Sequence, residues 1–133
     1  MRTMLQAAAF CLAGTASAFG QGAEITDTIN RQFEAFKADD FATAFGFASP
    51  TLQRFFQTPE NFGQMVTQGY PMVWRRARVQ YLDLRQEGGV WWQRVMITDQ
   101  KGAFHVLEYR MEQTDAGWQI SGVQILDAPG AAV

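Results

Sequence analysis

The segment that decides the fold covers residues 78–126 and reads RVQYLDLRQEGGVWWQRVMITDQKGAFHVLEYRMEQTDAGWQISGVQIL. Strand-length runs rich in apolar, β-branched and aromatic residues alternate in it with short connections that each contain glycine. Glycine adopts the positive φ angles of tight hairpin turns without a steric penalty. The runs cover 78–86, 90–98, 103–113 and 118–126. The segment therefore predicts four consecutive antiparallel strands.

Helical periodicity precedes these strands. Apolar residues recur at helical spacing from residue 24 to residue 38, where they form one stripe. The stripe consists of Ile25, Ile29, Phe33 and Phe36. This pattern predicts an amphipathic first helix whose apolar face packs against the sheet.

Three capping signals mark the starts of further short helices. A carboxylate or hydroxyl at the N-cap accepts a hydrogen bond from a free backbone N–H of the first turn, and proline is favoured at the next position. The signals are Asp40, Ser49-Pro50 and Thr58-Pro59. Gly69 is expected to end the last of these helices in the left-handed conformation.

Helices followed by hairpins indicate the α+β class. We expect the N-terminal helices to pack on a bent antiparallel sheet of four or more strands, in a cone-like shape with an apolar pocket inside. Residues 19–133 suit a single domain of common size.

Residues 1–18 have the features of an export signal. Arg2 precedes a mostly apolar stretch over 4–13, and Ala16-Ser17-Ala18 has the small residues of a cleavage site. The stretch is shorter than the roughly 20 residues of a membrane helix. A buried first helix is the alternative interpretation. We expect cleavage after Ala18 and a periplasmic or secreted domain without a membrane span.

Cys11 raises the alternative of lipid attachment, but Phe10 stands where a lipid-modified cysteine expects a small residue. Cleavage after Ala18 would leave a chain without cysteine, which excludes disulfides and thiolate chemistry. Because His105 is the only histidine, no metal site is predicted. No nucleotide-binding loop or nucleophile motif is present, so no cofactor is expected.

Charge and aromatic content limit the possible partners. The net charge of −2 becomes −3 once Arg2 is removed, which argues against nucleic acid as a partner. The 11 Phe, 4 Trp and 3 Tyr can supply a large core. Trp91 and Trp92 must point to opposite faces of one strand, so both sheet faces carry apolar residues. A second copy of the chain is one candidate to cover the outer face, and scattered surface aromatics with the C-terminal tail are the alternative.

Two residues of the third strand are candidates for acid–base chemistry. His105 and Tyr109 share one face of that strand, where they would supply a base of near-neutral pKa and a hydroxyl donor. The alternative is a half-exposed histidine at the sheet edge and a tyrosine packed in the core.

Four residues near the start of the sheet are candidates for ligand binding: Arg75, Arg76, Arg78 and Tyr81. Arginines bind anionic groups by bidentate hydrogen bonds. The alternative for the arginines is a solvated entrance to the first strand.

Several motifs together resemble a known family. They are Ala35-Phe36-Lys37-Ala38-Asp39-Asp40, Ala44-Phe45-Gly46-Phe47-Ala48-Ser49-Pro50, Phe56-Gln57-Thr58-Pro59, Phe62, Met65-Val66, Gly69-Tyr70, Gly117-Trp118 and Gly122-Val123. The sequence resembles a family of small exported bacterial proteins that is catalogued as a domain of unknown function. Its helices-then-sheet order resembles the nuclear-transport-factor-two-like cone, which ketosteroid isomerase and scytalone dehydratase also use. The resemblance implies a cone with a pocket and supplies no catalytic residue.

These patterns favour a non-catalytic module that binds a small apolar ligand or another protein. The alternative is a cofactor-free lyase or isomerase with an acid/base pair in the pocket.

The export hypothesis makes a direct prediction about the mature chain. Protein recovered from its native compartment should begin at Phe19, because the small residues at 16 and 18 direct cleavage after Ala18. Intact-mass measurement on exported material checks this. A mass that includes residues 1–18, or a lipid on Cys11, would contradict the hypothesis.

Overall fold

The computed structural model describes residues 17–126, with side chains from Gly20 onward. Most of the predicted signal peptide (1–16) and the tail (127–133) lie outside the described residues. The elements are α1 Ser17–Lys37, α2 Phe41–Gly46, α3 Pro50–Phe56, α4 Pro59–Gly69, α5 Pro71–Trp74, β1 Arg76–Glu87, β2 Val90–Asp99, β3 Phe104–Thr114 and β4 Gly117–Leu126. No helix within 17–126 is long and apolar enough to cross a membrane.

The sheet is an antiparallel meander in the order β1-β2-β3-β4. All four predicted strands are present, with ends within two residues of the predicted ones. Gly88 and Gly89 form the two-residue turn between β1 and β2, with φ angles of 57° and 81°. A side chain at either position would be strained, which explains the glycine pair. The predicted α+β class is confirmed.

The three helix caps are also confirmed. Thr43 N–H donates to the Asp40 carboxylate at 3.2 Å, which starts α2. The Ser49 and Thr58 hydroxyls accept from backbone N–H groups three residues on, at 3.4 and 3.1 Å, and start α3 and α4. In both cases the next residue is the predicted proline.

Two boundary predictions differ from the structure. Helix α1 begins at Ser17 rather than at residue 24. The prediction that Gly69 stops α4 in the left-handed conformation is wrong: Gly69 is the last residue of α4, and Tyr70 makes the break with φ −133°. The residue before a proline is disfavoured in the helical region. Pro71 then starts the short helix α5, which the sequence reasoning missed.

The apolar stripe of α1 lies against the inner face of the sheet. Ile25, Ile29, Phe33 and Phe36 are all buried, with at most 1 % of their surface exposed. The ring of Phe33 meets the ring of Tyr109 on β3 edge to face, with centroids 6.2 Å apart. This contact joins the longest helix to the middle of the sheet.

Bulges bend the sheet, and its β4 edge is partly covered. Register shifts interrupt β1 between Arg76 and Arg78 and again between Tyr81 and Leu84, and a further shift lies in the β3–β4 pairing. Such bulges bend a strand and increase its twist. At the β4 edge, Ile120 exchanges backbone hydrogen bonds with Phe47 and Ser49, both 2.8 Å long. The α2–α3 connection therefore shields part of this edge from pairing with another chain.

The two adjacent tryptophans of β2 lie on opposite faces, as predicted. Trp91 packs edge to face on Trp118, with ring centroids 6.0 Å apart. Trp92 lies on the outer face, where the Arg85 guanidinium stands 5.7 Å from its ring centroid.

Replacing Phe33 with alanine should lower the free energy of unfolding by about 3–5 kcal/mol, because its ring fills the contact between α1 and the sheet. Chemical denaturation measures this loss. The matched control is Phe55→Ala: Phe55 is 75 % exposed, so the same truncation should cost less than about 0.5 kcal/mol. A loss below about 1 kcal/mol for Phe33→Ala would contradict its place in the core.

Candidate functional site

A cavity of about 410 Å³ lies between the helices and the inner face of the sheet. It is partly open to solvent. Its wall consists of Gln32, Phe36, Ala48, Leu52, Phe55, Phe56, Phe62, Met65, Val66, Tyr70, Val73, Tyr109, Ile120, Gly122 and Val123. We call this set the cavity wall.

The cavity wall is aromatic and aliphatic, and it contains no Asp, Glu, His, Lys or Arg. Its polar side chains are Gln32, Tyr70 and Tyr109. The first two already make hydrogen bonds to the backbone. Gln32 Nε2 donates to the Ala44 carbonyl at 3.0 Å, and the Tyr70 hydroxyl donates to the Val123 carbonyl at 3.3 Å. Both bonds hold wall elements together.

Tyr109 differs from these two residues. It is 1 % exposed, and its hydroxyl has no hydrogen-bond partner among the described residues. Burial raises the pKa of this hydroxyl well above its usual value, and the nearby Tyr81 and Tyr70 hydroxyls raise it further. The group therefore stays protonated over the physiological pH range and remains a donor.

The exposed edge of the cavity wall, which we call the mouth, lies on α3, a helix with no buried residue. Phe55 of this helix is 75 % exposed. Its ring meets Phe56 edge to face at 4.9 Å, and Phe56 in turn meets Phe62 of α4 at 5.6 Å. The mouth is thus apolar, and aromatic contacts hold it to the wall.

The structure does not bring His105 and Tyr109 to one site. They are four residues apart on β3, about 13 Å along the strand. His105 Nε2 lies 2.8 Å from Asp99 Oδ2, in a separate depression beside Met72 and Trp74. The hydrogen bond from His105 and the Ala103 N–H lower the pKa of the Asp99 carboxyl.

Arg75 and Arg76 bind the C-terminal end of α1. Arg75 makes two hydrogen bonds of 2.9 and 3.0 Å to the Asp39 carboxylate and donates to the Phe36 carbonyl at 3.1 Å. Arg76 pairs with Glu34 at 2.6 Å. Bonds from Trp74 Nε1 and then from Arg75 lower the pKa of the Asp39 carboxyl. Both guanidinium groups therefore lie at the C-terminal end of α1, which is the negative end of the helix dipole and favours cations.

The other two predicted ligand-binding residues lie apart from the cavity wall. Arg78 is exposed on β1, on the face opposite Val79, which packs against the core. Tyr81 is half-buried on the inner side of β1, and burial raises its pKa to about 12. Its hydroxyl, like that of Tyr109, has no partner among the described residues.

A cluster of ion pairs lies on the outer face of the sheet. Glu108 is buried there between Arg94, at 3.4 Å, and Arg85, which contacts it more closely. The bond from Arg85 is the main cause that lowers the pKa of the Glu108 carboxyl. This cluster lies on the opposite side of the sheet from Tyr109 and the cavity.

Sequence reasoning did not assign Gln32 or Tyr70 to a site. The signal for Gln32 was its position beside the apolar stripe of α1, where a polar residue needs a partner when buried. Tyr70 gave no such signal, because its place depends on the break before Pro71. Among residues 17–126, no group of three or more His, Cys, Asp or Glu side chains is placed to hold a metal ion.

These features define an α+β domain with an apolar cavity beneath a bent sheet, and no charged side chain belongs to the wall of that cavity. The chain belongs to the family described as "Domain of unknown function (DUF4864)", whose model matches residues 18–133. This confirms the family resemblance seen in the motifs.

Comparison with solved structures found similarity to an NTF-2 like protein of unknown function from Burkholderia xenovorans LB400. The two share 16 % sequence identity with a TM-score of 0.47, over 82 % of this chain and 90 % of that one. No curated protein matched the chain.

Proposed function

We propose that this protein is an exported, non-catalytic module that binds a small apolar molecule in the cavity beneath its sheet. The observation that carries the proposal is the cavity wall itself. It encloses about 410 Å³ and has no charged side chain. Ligand pockets typically measure about 300–1,000 Å³ and are lined mainly by apolar and aromatic side chains.

The source of affinity would be apolar burial. Each Å² of apolar surface removed from water contributes about 25 cal/mol. The rings of Phe36, Phe56 and Phe62 form a connected aromatic group on the wall, with centroids 5.6 and 5.9 Å apart. A rigid wall of this kind binds without much loss of side-chain freedom, because the rings are already ordered by one another.

The alternative of a lyase or isomerase has less support. Acid–base catalysis needs a group that exchanges protons near neutral pH within hydrogen-bond reach of the substrate. The cavity wall offers only tyrosines, and the Tyr109 hydroxyl is held in its protonated form. His105, the residue best suited to the task, is paired with Asp99 outside the cavity.

The neutral dye N-phenyl-1-naphthylamine should bind the mature protein and gain fluorescence in the apolar cavity. Val123→Trp should weaken this binding at least tenfold, because Val123 belongs to the cavity wall and the larger ring would occupy ligand space. Fluorescence titration gives the dissociation constants.

The matched control is Gln124→Trp, one position along β4, where the exposed side chain points to the other face. This variant should bind the dye as the natural chain does. Equal binding by Val123→Trp, with folding verified by circular dichroism, would place the dye elsewhere and contradict the proposal.

We also propose that a second copy of the chain covers the outer face of the sheet. Trp92 lies on this face, and Phe104, on the same face, is 57 % exposed. Trp91 is already packed against Trp118, so Trp92 is the ring of the pair that is available to anchor a partner.

Sedimentation velocity at micromolar concentration should therefore show a dimer, and Trp92→Ala should weaken it at least tenfold because central aromatic residues dominate interface energies. The control Phe55→Ala removes an exposed ring from the cavity mouth and should leave the dimer intact. A natural chain that sediments as a monomer throughout this range would refute the assembly proposal.

A further inference from the structure

We propose that α3 is a lid on the cavity, and that it opens at Gln57 to admit the apolar ligand. The inference rests on the proposed function, because it assigns the entry step of the molecule that the cavity takes. Three features carry it: the exposed position of the helix, a strained residue at its C-terminal end, and fixed residues on either side of it.

Helix α3 lies on the surface of the domain. None of its seven residues is buried, and Phe55 is 75 % exposed. On the cavity side it is attached through Leu52 and Phe56, which belong to the cavity wall. The ring of Phe56 contacts the ring of Phe62 on α4, with centroids 5.6 Å apart. Segments with few buried apolar contacts open locally at a lower free energy than the core of a domain.

The C-terminal end of α3 is strained at Gln57. This residue has φ 74° and ψ −42°, and across it the Thr58 N–H donates to the Phe56 carbonyl at 2.9 Å. A three-residue turn of this hand is rare, because the Cβ atom disfavours positive φ. The usual left-handed end of a helix has ψ near +47°. Such strain persists only where surrounding contacts maintain it, so release of α3 relieves it.

The other non-glycine residue with positive φ in the described part of the chain is Asp39, at 56°. Its carboxylate makes two hydrogen bonds to the Arg75 guanidinium, which keep it in place. Gln57 is exposed, and the Phe56 carbonyl beside it accepts an exposed hydrogen bond of 2.8 Å from Asn61 Nδ2. Water can replace an exposed bond of this kind at little cost, so it holds the turn only weakly.

The residues on either side of α3 are fixed. Ser49 is fully buried, and its N–H donates to the Ile120 carbonyl at the sheet edge at 2.8 Å. The Thr58 hydroxyl caps α4 by accepting from the Asn61 N–H at 3.1 Å. Movement is therefore confined to residues 50–57, with the dihedral changes at the ends of this segment. Because a helix of seven residues is not stable alone in water, release from the wall also unwinds it.

Closure of α3 completes the cavity wall. Leu52, Phe55 and Phe56 all belong to that wall, and the Phe56 ring joins the stacked pair of Phe36 and Phe62. A ligand in the cavity contacts these side chains when the lid is closed and loses them when it opens. The ligand therefore stabilises the closed lid together with its strained turn.

Hydrogen exchange measured by mass spectrometry tests the role of Gln57 without a ligand, because exchange reports the open fraction of a segment. Gln57→Gly removes the Cβ atom, so exchange in residues 50–57 of the mature protein should slow at least threefold. Gln57→Val adds a β-branched side chain and should speed this exchange at least threefold. Exchange in α1 should be the same in all three chains, which also verifies folding.

The matched control is Gln64→Gly in α4. Gln64 is also exposed, but its φ is not positive. Glycine at this position adds chain freedom and relieves no strain, so exchange in α4 should become faster. Opposite effects of one substitution at two exposed glutamines distinguish strain at Gln57 from the general effect of glycine.

The rate of dye entry tests the lid itself. Because N-phenyl-1-naphthylamine enters through the open state, Gln57→Gly should lower its association rate constant by the same factor as the open fraction. The dissociation rate constant should fall equally, since the dye leaves by the same route. The dissociation constant should stay within about twofold, because the closed state predominates with and without the dye. Stopped-flow fluorescence measures both rates.

Exchange in residues 50–57 that is not slowed by Gln57→Gly would overturn the inference. An association rate constant that stays the same while exchange slows would also overturn it, because dye entry would then not need the movement of α3. In both cases the dye still binds, and the cavity proposal stands. If the dye does not bind the natural chain, the proposed function and the entry role of α3 fail together.

Discussion

The structure depends on the packing of the α1 apolar stripe against the inner face of the sheet. Its central contact is the edge-to-face pair of Phe33 and Tyr109. Interiors pack at nearly crystalline density, so this contact sets the separation of the two layers near α1. Helices α3 and α4 are short and cover the remaining concave face less completely. The cavity lies where the cover of the sheet changes from α1 to the shorter helices α3 and α4.

The charged side chains that join these layers lie at the C-terminal end of α1 and on the outer face of the sheet rather than in the cavity. Arg75 and Arg76 bind the C-terminal end of α1 and so tie it to the start of β1. Glu108 lies between Arg85 and Arg94 on the far side of the sheet. Ion pairs near the surface each contribute little to stability, but here they direct the arginines away from the cavity. The cavity wall is left without a charged side chain.

Two tyrosines carry buried hydroxyls without partners among the described residues. Tyr81 lies off the cavity wall and Tyr109 belongs to it. Such groups are uncommon in folded proteins because each costs free energy of desolvation. Phenylalanine at either position would remove that cost.

Local sequence determined the elements of this fold. Turn glycines, capping carboxylates and hydroxyls, and prolines act through the conformations of a few neighbouring residues, so the four strands and the starts of α2, α3 and α4 could be predicted from them. The positions of single side chains depended on tertiary structure. The Tyr70 break, the pairing of His105 with Asp99 and the binding of Arg75 to α1 all join residues whose meeting depends on how the layers pack. For the same reason Tyr109 could be named as a candidate from the sequence, but only the folded chain placed it on the cavity wall, without a hydroxyl partner among the described residues, and placed His105 elsewhere.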